Sequence, residues 1–189
     1  IDAFLFSKPS RIVKLLKTYI VTKTIYKHIG ISLLETLLGL VIGTLAGLLI
    51  AIILWWNKII AKIMEPFLVV LNALPKTALA PIIIIWMGTG IKGITAVAVS
   101  ISLVLTIISA YNYFIQVEEE KIKMLQSFNA TKLQILFKLV IPANLANIIS
   151  LIKINIGMSW VGVIVGEFIV SRYGIGYLIM YGSQVFNMD

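Results

Sequence analysis

The sequence predicts an all-α fold, a polytopic bundle of transmembrane helices, on three observations. The chain is 60% hydrophobic and 13% charged over 189 residues, whereas soluble domains carry roughly 45–50% apolar and about 25% charged residues. Its mean hydropathy is +1.03, too apolar to cover a water-facing globule. Four stretches reach the roughly 20 apolar residues needed to cross a hydrocarbon core of about 30 Å. Finally, sixteen basic residues against eight acidic ones, net +8, flank these stretches instead of forming a stripe beside aromatics. That placement suits anchoring at the membrane interface and argues against nucleic-acid binding.

Residues 1–30 hold Lys8, Arg11, Lys14, Lys17, Lys23 and Lys27 among Ile12, Val13, Leu15, Leu16, Tyr19 and Ile20, with Asp2 opposing. This segment reads as an amphipathic helix lying in the interface, on membrane lipid. Residues 31–189 form the transmembrane domain. The chain opens on Ile1, with no signal-peptide arrangement, as a fragment or a trimmed chain would.

Thr36 to Trp56 contains no Asp, Glu, Lys or Arg, and Gly39, Gly43 and Gly47 recur along it every four residues. At that spacing they make one smooth face where another helix can approach closely, or they are a chance feature of an apolar segment. Phe67 to Ile91 is interrupted by Lys76 alone. Pro75 and Pro81 remove backbone donors and disfavour helix in the residue before each, so a break or kink is predicted near Leu74 to Ala80. Irregular backbone at membrane depth points either to a pathway or to a tightly packed interface. Gly93 to Val117 is free of charge, and Leu139 to Gly166 is broken only by Lys153.

Between these last two spans the chain turns polar. Glu118, Glu119 and Glu120 precede Lys121 and Lys123, a polarity that suits a helix dipole. Ile122, Leu125 and Phe128 fall three apart as a short apolar ridge. Asn129-Ala130-Thr131 breaks the pattern, and Thr131 with Gln134 carries a capping-box signature. Helix, tight turn, helix is predicted over about 117–138, the second helix running through Pro142 into the next span.

This loop resembles the cytoplasmic coupling loop of type I ABC importer permeases, of pattern E-A-A-x3-G-x9-I-x-L-P. With Pro142 on the pattern's proline, Leu139 and Ile141 take its apolar positions and Asn129 its glycine. Lys123, Met124 and Leu125 stand where Glu-Ala-Ala is usual. Asn is the residue that, after Gly, best tolerates a left-handed backbone. His28 ahead of Ser32-Leu33, the stretch LPKTALAPIIIIWMGTG and the late GMSWVGVIVGEFIVSRYGIGYLIM are similar to the nitrate, sulfonate, taurine and bicarbonate group. The resemblance covers roughly residues 28–189. It implies a six-helix subunit, of which the first and last helices are absent from this sequence.

It also implies partners: ABC ATPase subunits, an extracytoplasmic solute-binding protein and a second permease copy. The loop would dock on the ATPase through Ile122, Leu125 and Phe128, with Asn129, Ala130, Thr131 and Pro142 shaping it; alternatively the ridge packs on this subunit's own helix ends. No GxxxxGK[ST] phosphate loop is present, so ATP and Mg belong to the partner, and this chain is expected to bind no cofactor. Asn129-Ala130-Thr131 also matches a glycosylation sequon, read as coincidence in a cytoplasmic loop.

Charges within spans are functional candidates. Lys153, with Asn155, Ser159, Trp160 and Glu167, is the candidate solute pathway. An anion such as a sulfonate, taurine or nitrate would suit that cation; a structural ion pair with Glu167 or Glu35 is the alternative, and a vitamin precursor the alternative solute. His28 reads as an interfacial residue. The chain has no cysteine and no His/Asp/Glu cluster, so no metal site or catalytic residue is expected. A channel subunit is a rival that would need no docking loop.

Overall fold

The computed structural model describes residues 9–184. Asp2, Lys8 and the side chain of Arg11 lie outside the described residues. Helix α1, Pro9–Val21, is followed by a left-handed turn at Lys23 (φ 58°) and by α2, Thr24–Trp56. The boundary expected at residue 30 therefore falls inside α2, because only Gly30 opposes helix between Thr24 and the apolar span, and one glycine costs only about 1 kcal/mol. At 33 residues, α2 is about 50 Å long.

Helix α3, Lys58–Ala73, starts at Asn57, whose side chain accepts from the N–H groups of Ile59 and Ile60 at 3.0 and 3.2 Å. Helix α4, Lys76–Met87, bends from it by 100°. Of the two prolines expected to break this span, Pro75 does so, holding Leu74 extended. Pro81 stays inside α4. Lys76 reaches back to Asn72 O at 3.2 Å, satisfying a carbonyl that the break exposes. Gly88 (φ 90°) and Gly90 (φ 87°) then turn the chain into α5, Ile91–Ile115.

The loop forms α6, Glu119–Ser127, and α7, Lys132–Ile135. The helix expected to continue from Thr131 into the last span changes to π-helical pitch over Leu136–Val140, then forms α8, Ile141–Ala143. Pro142 has no N–H to donate, and a wider turn before it accommodates the missing bond. Asn144 interrupts the helix, its side-chain amide donating to Val140 O at 2.9 Å. Helix α9, Leu145–Val170, and α10, Ile175–Gln184, complete the described chain.

Three helices, α2, α5 and α9, are long and apolar enough to cross a membrane, and α3 with α4, bent by 100°, passes the same test only as a pair, as a broken span or a re-entrant loop. Helix α5 lies between α2 and α9 and is the most enclosed. The outward face of α2, with Leu34, Leu37, Val41, Leu45 and Leu49, is exposed, as a lipid-facing surface must be. At the end that carries the loop, Ala51, Ala110, Phe114, Ile135, Leu136, Val140 and Leu151 form one buried cluster joining α2, α5, the π-helical segment and α9.

Candidate functional site

Residues that sequence reasoning grouped together divide in the structure into a helix seam, a latch, an exposed cation and a loop. The seam is where α2 meets α5. Gly39, Gly43 and Gly47 lie against Ala98, Ser102 and Thr106, so close that a Cβ at Gly43 would stand 2.1 Å from Ser102 Oγ. Helix α9 joins through Gly162, where a Cβ would be 2.6 Å from Ala98 Cα. Small residues let the three backbones approach, and contact between them replaces contact with lipid.

Asn155 and Ser159 are fully buried within this seam. The Asn155 amide donates to Thr44 Oγ1 at 2.9 Å and to Thr106 Oγ1 at 2.7 Å, tying α9 to both other spans. Lys153, two residues earlier on α9, is exposed. Gly157, one turn further on, has open space around its Cα. Trp160 is half-buried. Among the described residues Lys153 pairs with no carboxylate, so the alternative ion pair with Glu167 or Glu35 does not form; Glu35 and Glu167 are buried, Lys153 is exposed, and fourteen residues of helix set Lys153 about 21 Å along the axis from Glu167.

Glu167 is instead the centre of a latch. Ser32 of α2 donates to its Oε1 at 2.5 Å, and the Gly176 N–H at the start of α10 donates to its Oε2 at 2.6 Å. Ser32 in turn accepts from the Ile175 N–H at 2.8 Å. Gly174, at φ 108°, turns the chain so tightly around Glu167 that a Cβ there would meet the carboxyl at 2.2 Å. Its N–H donates to His28 Nδ1 at 2.9 Å. His28 is thus buried within the subunit and stacked on Tyr177 at 6.0 Å. Glu35, one turn beyond Ser32, is also buried, against Glu167. The carboxylate and the Ser32 hydroxyl each accept one of the free N–H groups that a helix start leaves, so α10 is fixed on α2. Its signal in the sequence was a lone Glu seven residues before G-I-G, legible as a cap only once the turn is known.

At the opposite end, the loop turns at Asn129 with φ 56°. Thr131 Oγ1 accepts from Gln134 N–H while Gln134 Oε1 accepts from Thr131 N–H at 2.8 Å, a complete capping box. The apolar ridge is divided. Ile122 and Leu125 are half-buried against the subunit's own cluster, and Ala130 packs beside them. Phe128 is 76% exposed and Met124 56% exposed, and Leu133 and Phe137 are exposed further along the loop, so of the ridge only Phe128 is free to meet another protein. A cavity of about 670 Å³ opens between the loop and the ends of α2 and α5, lined in part by Trp55, Lys58, Tyr111 and Lys123. Lys121 pairs with Glu118 at 2.9 Å and Lys123 with Glu119 at 3.2 Å, both on the solvent side of α6; such exposed pairs add little stability.

Asn129→Gly is expected to be neutral or slightly stabilising, whereas Asn129→Val places a β-branched residue at positive φ at a cost of about 1–3 kcal/mol. Thermal stability and transport measured together check this. A Val variant indistinguishable from wild type would remove the assigned backbone.

Comparison with known proteins bears on this arrangement. Residues 39–189 match the family described as binding-protein-dependent transport system inner membrane component. A probable ABC transporter permease protein of Haemophilus influenzae is 28% identical over 186 residues, 98% of this chain and 75% of that protein. A formylaminopyrimidine transport permease protein of Halalkalibacterium halodurans is 25% identical, over 89% of this chain and 68% of its own length. A putative aliphatic sulfonates transport permease protein of Bacillus subtilis is 28% identical, over 97% and 67%. With a family match running from the glycine seam to the end of the chain, around several helices able to cross a membrane, the chain belongs to the binding-protein-dependent inner-membrane transport components, as a multi-pass permease subunit of an ATP-driven ABC importer.

Proposed function

We propose that this subunit lines the path of a small anionic solute and takes its drive from a separate ATPase docked on the loop at about 117–138. Lys153 carries the solute reading. It is a charge within a span, exposed on its own subunit and without a counter-ion among the described residues. A lysine in that position must face a water-filled path or another protein surface, because a charge against lipid is costly. A second copy of this chain would close the path along the Lys153 and Gly157 face of α9. The cation suits a sulfonate, taurine or nitrate, and one relative is named for aliphatic sulfonates. Another is named for a formylaminopyrimidine, which makes a vitamin precursor the second reading. ATP and Mg are held by the partner, and this chain binds no cofactor of its own.

Uptake into vesicles holding the assembled transporter separates the readings. Taurine and an alkanesulfonate are expected to be accumulated and to compete with each other, and Lys153→Gln to weaken that uptake by ten-fold or more, equivalent to about 1.4 kcal/mol. Uptake of a formylaminopyrimidine unaffected by sulfonates, with Lys153→Gln neutral, would overturn the anion reading.

Docking has its own test. Phe128→Asp is expected to leave insertion intact and to abolish co-purification of the ATPase. The same change at Leu125 would instead damage the subunit's own cluster. Wild-type ATPase stoichiometry with Phe128→Asp would refute docking at this surface.

A further inference from the structure

The last carbonyls of a helix have no intrahelical donor. At the loop end of α2 the Asn57 N–H returns to Ile53 O, and the Trp56 carbonyl accepts a hydrogen bond from the Lys132 ammonium. The same ammonium stands 5.2 Å from the centre of the Trp56 ring and 5.7 Å from that of Trp55, within the range of a cation–π attraction. A cation at a helix C-terminus also opposes the negative end of the helix dipole. Three favourable terms therefore converge on one side chain.

What Lys132 belongs to gives the contact its consequence. It is the first residue of α7, directly after the capping box at Thr131, and the left-handed turn at Asn129 joins that box to α6. Among the described residues no other side-chain hydrogen bond runs from the 117–138 loop to a membrane span; against α2 and α5 the loop otherwise packs through apolar groups, Ile122, Ile135 and Leu136 sharing one cluster with Ala51 and Phe114. Apolar contacts can slide, whereas a hydrogen-bonded ammonium fixes a point. Helix α2 then runs unbroken from Trp56 to Thr24, and close to its far end stands Ser32, bonded to Glu167 and to the first turn of α10.

We infer that Lys132 is a positioning residue that ties the loop to the end of α2, so that displacement of the loop is carried along α2 to the Ser32–Glu167 latch. The inference rests on the proposal that the loop docks an ATPase. In this arrangement α2 acts as a lever held at both ends, with Lys132 as its loop-side fastening. Removing the ammonium leaves Ile135 and Leu136 packed, so the loop stays folded but moves without moving α2.

The chain has no cysteine, which permits clean pairwise labelling. Spin labels at the exposed positions Tyr26, near the start of α2, and Tyr181 on α10 report on the latch end. Their separation is measured in the full chain assembled with its ATPase, nucleotide-free and trapped with ATP and vanadate. The wild-type background is expected to show a nucleotide-dependent change in distance. Lys132→Ala and Lys132→Gln are expected to lose that change while retaining wild-type ATPase stoichiometry and thermal stability, and Lys132→Arg to restore it. A wild-type distance change in the Ala and Gln variants overturns the fastening role. Loss of ATPase association in those variants also overturns it, making Lys132 a docking residue. Normal association in a parallel Phe128→Asp sample would instead refute the docking proposal, independently of how the Lys132 variants behave.

Discussion

Gly43→Leu is expected to take the α2–α5 seam apart. A Cβ at residue 43 would already stand 2.1 Å from Ser102 Oγ and 3.6 Å from Val99 Cα, and leucine adds a further isobutyl group. Rotation of Ser102 about χ1 can relieve the first contact but not the approach to Ser102 Cβ at 3.3 Å, whose position the backbone sets. Because Gly39 and Gly47 are also tight against Ala98 and Thr106, the two helices cannot tilt about residue 43 without a clash on one side and lost contact on the other. Overpacking of a well-filled core costs typically about 1–3 kcal/mol and occasionally more, and here separation would also open the bonds from Asn155 to Thr44 and Thr106. Loss of the assembled transporter in mild detergent is expected, with Gly30→Leu as the control, since nothing lies within 4 Å of a Cβ at Gly30. Normal assembly of Gly43→Leu would mean that the glycine face looks at lipid and that this packing is wrong.

The second large effect is expected at the latch. Glu167→Ala removes the acceptor of the Ser32 hydroxyl and of the Gly176 N–H, both in a buried site. A buried donor left without a partner costs about 1–3 kcal/mol, so two of them should lower stability by roughly 2–6 kcal/mol. The damage should be local to the α10 end. Hydrogen exchange is therefore expected to rise over residues 174–178 while the α5 amides keep their protection. Glu167→Gln retains an acceptor oxygen and is expected to lose less. Uniform protection in Glu167→Ala would show that α10 is held by its apolar contacts alone.

Much of this organisation is legible in the amino-acid sequence. Apolar length alone locates the spans, because the bilayer imposes a minimum that few other environments demand. The four-residue glycine spacing, the Thr131–Gln134 box and the tolerance of Asn129 for positive φ are local features, each decided within one helical turn. Helix α2 nonetheless begins before the apolar stretch does, since an amphipathic segment and a spanning helix can share one continuous backbone. Of Pro75 and Pro81, which carry the same local signal, only Pro75 breaks the helix.

The sequence by itself determined that this chain crosses a membrane several times, that α2 has one face smooth enough for close packing and that a capped turn interrupts the loop, because these follow from hydropathy, period and dihedral preference along a single segment. Only the tertiary structure decided which polar residues meet. Lys153 and Glu167 are fourteen positions apart on α9 and compose one list of charges in a span, yet the helix turns Lys153 outward and closes Glu167 within a turn of glycines. Ser32 and Glu167 are separated by 135 residues, Lys132 and Trp56 by 76. A contact of that kind depends on how helices are placed side by side, and the pattern along either helix is the same whether the contact forms or not.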